Sequence, residues 1–275
     1  MNRNRSFIKM VGTGNDFVLL DHRTKKIPSA SYSLLSRRLT HRQNGIGADG
    51  VLFLEKSTPK VPADFKMRIF NPDGSEAEMC GNGIRCIAYY AYQEGIVSTR
   101  MKIETLAGVL SAEVKKNRVR VELSLPKEWK PGLRFQKDGV LLEGVFVNTG
   151  TPHAVFFVHS LENLEVAKLG AFVRYHPDFA PRGTNVNFVE SKNSHQIQVR
   201  TYERGVEAET LACGTGATAS ALVAAKERKI STPINVLTQS GETLTVDFQQ
   251  ESGEIHKVWL EGAVKIVFKG EIENV

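Results

Sequence analysis

The chain carries one message twice, and that limits its fold more than any other feature. "MRIFNPDGSEAEMCGNGIRCIAYYA" (67–91) and "VRTYERGVEAETLACGTGATASALVAA" (199–225) share one plan. Each has a strand-like run, a turn with glycine and acidic residues, Cys-Gly-x-Gly, and an apolar helix. Cys80 and Cys213 lie 133 residues apart. At the same offset Ile84, Ile87, Ala88 and Ala91 fall on Ala217, Ser220, Ala221 and Ala224. Both sets follow the i, i+3, i+4, i+7 spacing of one helix face. Three further pairs match in order: "IKMVGTGNDFVLLD" with "FVNTGTPHAVFFVH", "GADGVLFLE" with "GTNVNFVE", and "MKIETLAGVLSAEV" with "INVLTQSGETLTVDF". Four ordered pairs argue for duplication.

Each half is strand-rich, with short β-type runs such as "FVLLD", "VLFLE", "MRIF" and "VRVEL" bounded by Gly, Pro, Asn or Asp. The helix after each Cys-Gly-x-Gly is apolar over a wide arc, so it is buried. The pattern predicts an α/β (α+β) fold of two pseudo-symmetric lobes, each a barrel-like sheet around a central helix, with a cleft between them. The lobes are expected at 1–130, carrying Cys80, and 131–275, carrying Cys213, with the last strands able to cross back to the first.

Composition excludes several functions. Three cysteines in 275 residues make no disulfide scaffold. Cys80 and Cys86 are too far apart for the short spacing of a zinc site, so no metal is expected. The net charge of +6 is scattered, with no basic run longer than "KK", so no nucleic-acid partner is expected. No apolar run approaches the roughly 18 residues of a membrane span. The basic start "MNRNRSFIKM" has no apolar segment behind it for a secretory signal, so a cytoplasmic protein is expected.

Each of Cys80 and Cys213 stands just before a helix, where N–H groups and the dipole favour a thiolate. Duplication sets the two as counterparts across the cleft. One sulfur can then remove a proton from a carbon acid while the other returns one to the opposite face. Two charged sulfurs in one cleft repel, so the resting pair is one thiolate and one thiol. Glycines beside them let helix N–H groups reach a carboxylate. Cys86, inside the first helix and opposite Ala219, is read as core. "CGNG" and "CGTG" lack the Gly-x4-Gly-Lys-Ser/Thr form of a phosphate loop.

With "GTGNDFVLLD", "GIGADG", "FNPDGSEAEMCGNGIRC", "GTNVNF" and "YERGVEAETLACGTGATA" in view, the chain resembles the diaminopimelate epimerase family over nearly its whole length. The resemblance implies a cofactor-independent, pyridoxal-phosphate-free isomerase of lysine biosynthesis, converting LL-2,6-diaminopimelate to the meso form. It implies Cys80 as acid and Cys213 as base in one direction, exchanged in reverse. It also implies substrate contacts from Asn15, Asn71, Asn185, Glu203 and Arg204, and a carboxylate cradle at Gly81, Asn82, Gly214 and Thr215. His153 and Glu203 become auxiliary groups near the sulfurs, and a homodimer is a family-level expectation. The chain departs from the family at Thr151, where many members have Asn, and at Gly50, where some have Gln; Thr151 is a lesser candidate for binding. The competing expectations are a proline or hydroxyproline racemase and a non-catalytic amino-acid-binding module. The "YERG" and "GTNVN" motifs favour a ligand with a second amino-acid end.

Overall fold

The computed structural model describes residues 5–24 and 27–273; residues 1–4 of the basic start lie outside the described residues. The chain divides into two compact units, 1–121 with 262–275, and 122–261. The first contains β1 (Arg5–Gly12), β2 (Asn15–Asp21), α1 (Tyr32–Thr40), β3 (Gly50–Glu55), β4 (Phe65–Phe70), β5 (Glu76–Ala77), α2 (Gly81–Gln93), β6 (Arg100–Thr105), β7 (Gly108–Lys115) and most of β8 (Arg118–Leu123). The second contains β9 (Lys127–Lys137), β10 (Val140–Asn148), β11 (Pro152–Phe157), α3 (Val166–Arg174), β12 (Asn185–Asn193), β13 (Gln196–Glu203), β14 (Ala208–Thr210), α4 (Gly214–Arg228), β15 (Ile234–Leu237) and β16 (Thr243–Glu251). The long strand β17 (Glu254–Ile272) begins in the second unit and ends in the first.

The duplication read in the sequence reappears as strand pairing. In the first unit β1 pairs antiparallel with β2, β2 parallel with β3, and β3 antiparallel with β4. β4 then takes β5 antiparallel and β6 parallel, and β6, β7 and β8 follow antiparallel. In the second unit β10 to β16 repeat this series, and β16 pairs antiparallel with the start of β17. β8 pairs with β17 and the end of β17 pairs with β1, closing the first unit's strands into a ring. β9 lies against β10 as the end of β17 lies against β1. The expected boundary at residue 130 thus falls inside β9, which belongs wholly to the second unit.

Burial explains this layering. β3 and β12 each begin with five consecutive buried residues rather than alternating ones. A strand buried on both faces needs cover on both. In the first unit β3 touches both α1 and α2, and in the second β12 touches both α3 and α4. Tyr32, Leu35 and Leu39 of α1 pack on Val18, Leu20, Val51 and Phe53, with Tyr32 stacked on Phe53 at 3.9 Å between ring centroids. Val166, Leu169 and Val173 of α3 pack on Phe156, Val186 and Phe188. The α2 and α4 face predicted from the i, i+3, i+4, i+7 positions is buried at all eight residues. α4, built largely of Ala, Ser, Thr and Val, is buried along residues 216–224. Among the described residues, no helix is long and apolar enough to cross a membrane.

Candidate active site

Each unit carries one cysteine at the mouth of its central helix. Cys80 is the residue before α2, extended at φ −138° and ψ 121°, and its Sγ accepts from the Gly83 N–H at 3.4 Å. Cys213 holds the same position before α4, at φ −121° and ψ 113°. Its Sγ lies 3.4 Å from Thr215 Oγ1. A hydrogen bond to sulfur and the positive end of a helix both favour the thiolate. Both sulfurs are half-buried, whereas Cys86 is wholly buried, as expected of a core residue.

In the first unit a polar network fixes the ground around Cys80. Asn82 Nδ2 donates to Asn15 Oδ1 at 2.5 Å, and Asn15 Nδ2 donates to Asp49 Oδ2 at 3.1 Å. Arg85, 0% exposed, donates from Nη2 to Asn82 Oδ1 at 2.7 Å and to Thr13 Oγ1 at 3.0 Å, and from Nη1 to the Gly81 carbonyl at 3.0 Å. Asp49 is tied in turn to Asp16 and Arg42, and Lys9 pairs with Asp16 at 2.7 Å. These partners hold Asp16 below the usual carboxylate range against the opposing effect of burial. The structure thus brings Asn15, Gly81 and Asn82 together at the helix mouth. Asn71 is exposed in the turn before β5, where its Nδ2 donates to Ser75 Oγ at 3.0 Å.

In the second unit His153 is 0% exposed. Its Nε2 is 2.9 Å from Thr151 Oγ1, and its Nδ1 is 3.0 Å from Asn187 Nδ2. Thr151 Oγ1 donates to Thr215 Oγ1 at 3.1 Å, and the Thr149 hydroxyl donates to the Thr215 carbonyl at 3.1 Å. Burial, and then the Arg204 charge, push His153 down to about 3, so it is neutral at ordinary pH. Asn185 Oδ1 accepts from the Arg204 backbone N–H at 2.7 Å, pinning the turn after β13, and Arg204 Nη1 donates to the Arg182 carbonyl at 3.3 Å. Burial raises Glu203 above the usual carboxylate range, with the Thr210 hydroxyl opposing. Gly214 opens α4.

Several residues of these networks are not singled out by the sequence, among them Arg85, Thr13 and Asn187. Arg85 was the readable one, because a charge inside an otherwise apolar helix needs partners. Thr13 and Asn187 give no such signal, since each sits in a motif that also satisfies turn or strand chemistry. Gly50, where some family members have Gln, starts β3, and a Cβ there would lie 3.0 Å from the Phe70 carbonyl oxygen. Among the described residues, no group of three or more His, Cys, Asp and Glu is placed to hold a metal ion.

The family model for diaminopimelate epimerase matches residues 7–127 and 145–267. A diaminopimelate epimerase of Aquifex aeolicus is 46% identical over 276 residues, covering 98% of each chain. One from Methanothrix thermoacetophila is 43% identical, over 98% of this chain and 96% of its own. Among solved structures, a PhzF-family phenazine biosynthesis protein of Bacillus anthracis superposes with a TM-score of 0.77 at 16% identity, over 99% of this chain and 100% of its own. A hydroxyproline epimerase from Agrobacterium vitis does so with a TM-score of 0.72 at 16% identity, over 99% and 94%. At such identities the two structures speak for the fold alone.

Proposed function

Since the chain belongs to the diaminopimelate epimerase family, we propose that it converts LL-2,6-diaminopimelate to the meso isomer in lysine biosynthesis, without a cofactor. The observation that carries the reading is the equivalent placement of Cys80 and Cys213, each capping a glycine-opened, buried helix. On this reading one sulfur, as thiolate, takes the α-proton. The other, as thiol, delivers a proton to the opposite face, and the C–H bond lost on one side is regained with inverted configuration. Negative charge spreading onto the substrate carboxylate is met by N–H groups at the starts of α2 and α4, around Gly81, Asn82, Gly214 and Thr215. Cys80 is the acid and Cys213 the base in one direction, with the roles exchanged in reverse.

Diaminopimelate has a second amino-acid end, and Arg204 is the cation suited to its carboxylate through paired N–H donors. Asn15, Asn71 and Asn185 offer amides that donate and accept. Of the three, Asn71 is exposed and donates to a neighbouring serine in its own turn. Cytoplasmic residence and a homodimer belong to the same reading, and sedimentation of the purified protein tests the second. The decisive experiment is incubation with LL-diaminopimelate in deuterated water with no added cofactor. Deuterium at one α-carbon of meso product is expected. Product without deuterium, or no product, would overturn the proposal.

A further inference from the structure

The polar network behind Cys213 has a direction, and that direction can be worked out atom by atom. Asn187 is the starting point because the Ala154 carbonyl, 3.3 Å from Asn187 Nδ2, can only accept. The amide nitrogen therefore faces that carbonyl, and the amide oxygen accepts from Thr201 Oγ1 at 3.0 Å. The same nitrogen lies 3.0 Å from His153 Nδ1 and brings a hydrogen to it. His153 Nδ1 is then the acceptor, and in the neutral ring Nε2 carries the proton. Nε2–H points at Thr151 Oγ1, 2.9 Å away. Having accepted that bond, the Thr151 hydroxyl donates its own hydrogen to Thr215 Oγ1 at 3.1 Å. Thr215 in turn has its hydrogen left for Cys213 Sγ at 3.4 Å.

We infer that Asn187, His153, Thr151 and Thr215 form a one-way chain of hydrogen bonds ending as a donor to Cys213 Sγ, with Thr151 the positioning residue that joins the imidazole to the sulfur. A chain that ends in a donor favours the thiolate over the thiol. It favours ionisation of Cys213, which deepens the epimerase reading and rests on it for the catalytic consequence. At the corresponding point of the first unit Asn82 stands where Thr215 does, its amide spent on Asn15, Thr13 and Arg85, while Cys80 Sγ accepts from the Gly83 N–H. Arg204, in the turn after β13, is the charge that acts on His153. A neutral His153 supplies a donor without adding a positive charge beside the sulfur.

The test reads the two sulfurs separately in the whole protein without substrate, by iodoacetamide labelling at pH 7.5 and peptide mapping. The Cys213 to Cys80 rate ratio should fall about tenfold in Thr151→Val and stay within about twofold of native in Thr151→Ser, because alkylation follows the thiolate fraction. An unchanged ratio in Thr151→Val, or an equal fall in Thr151→Ser, would overturn the inference. The native protein gives a second reading that no misfolded variant can obscure. Nitrogen-15 spectra of the histidine rings should show His153 protonated at Nε2, and a proton at Nδ1 would overturn the chain's direction. Neither measurement uses diaminopimelate, so the chain can fail while deuterium exchange succeeds, and the reverse.

Discussion

A half-buried carboxylate and a buried imidazole stand in the same unit with opposite consequences for pH. Burial raises Glu203, so its folded-state affinity for a proton exceeds that of the unfolded chain. The associated stability is fully present below the ordinary glutamate range and is lost as pH rises through the raised value. His153, lowered to about 3, works the other way: its contribution is present above about pH 6.5 and is lost as pH falls toward 3. Glu203→Gln removes only the first effect. We expect its thermal midpoint at pH 8 to exceed that of the native protein, with the gap closing by about pH 4.5, while turnover falls. A variant less stable than native at pH 8 would show that the carboxylate is stabilised as an anion after all. At this scale the sequence was legible wherever chemistry follows residue type: two cysteines before glycines, an arginine in a Tyr-Glu-Arg-Gly turn. It was silent on Thr13, in the turn between β1 and β2, and on Asn187, whose place comes from strand register that no local motif encodes. Asn187 enters the site only because β11 and β12 run parallel with Val155 opposite it.

The two central helices open with the same glycine pattern, yet the second glycine faces different neighbours in each. A Cβ on Gly216 would lie 2.4 Å from Asn187 Oδ1 and 3.3 Å from the Cys213 Cβ. A Cβ on Gly83 would lie 3.0 Å from Leu52 Cδ2 and 3.2 Å from Ile69 Cδ1, the ends of side chains that can turn aside. Alanine gains about 1 kcal/mol over glycine within a helix, and overpacking a core costs about 1–3 kcal/mol. The two nearly cancel at Gly83. At Gly216 the displaced group is a hydrogen-bonded amide, so the cost falls on the site. Gly216→Ala should lose about tenfold or more in turnover with a modest fall in thermal midpoint, and Gly83→Ala should lose less. Equal turnover in the two variants would contradict the asymmetry. The helices themselves were readable from apolar spacing, because a helix buried on all sides needs small or apolar residues throughout. Which atoms crowd each glycine was not, since that depends on the strands packed against it.

For the whole molecule, the consequential feature is that the last strand serves both units. Up to Glu261 β17 completes the second unit's pairing with β16. From Val264 to Ile272 it pairs with β1 through eight register positions, interrupted by one bulge between Lys9 and Met10. The Val264 N–H also donates to the Asn117 carbonyl at 2.9 Å, just before β8. The repeat was legible in the sequence as four ordered pairs, but this division of β17 was not. "VWLEGAVKIVF" reads as one strand-like stretch, with no turn cluster where its pairing passes from one unit to the other. The physical consequence is sharp, because a ring closed by its final strand opens on both sides when that strand goes. Removing residues 262–275 would leave β1 with an unpaired edge and uncover Met10, which is 0% exposed. Backbone pairing lost along a whole strand is comparable with the roughly 5–15 kcal/mol by which a folded protein is stable. The truncated chain is expected to aggregate, or to unfold more than about 10 °C below the full chain. A soluble truncated protein with a cooperative transition within about 5 °C of native would mean that the first unit's ring does not need its closing strand.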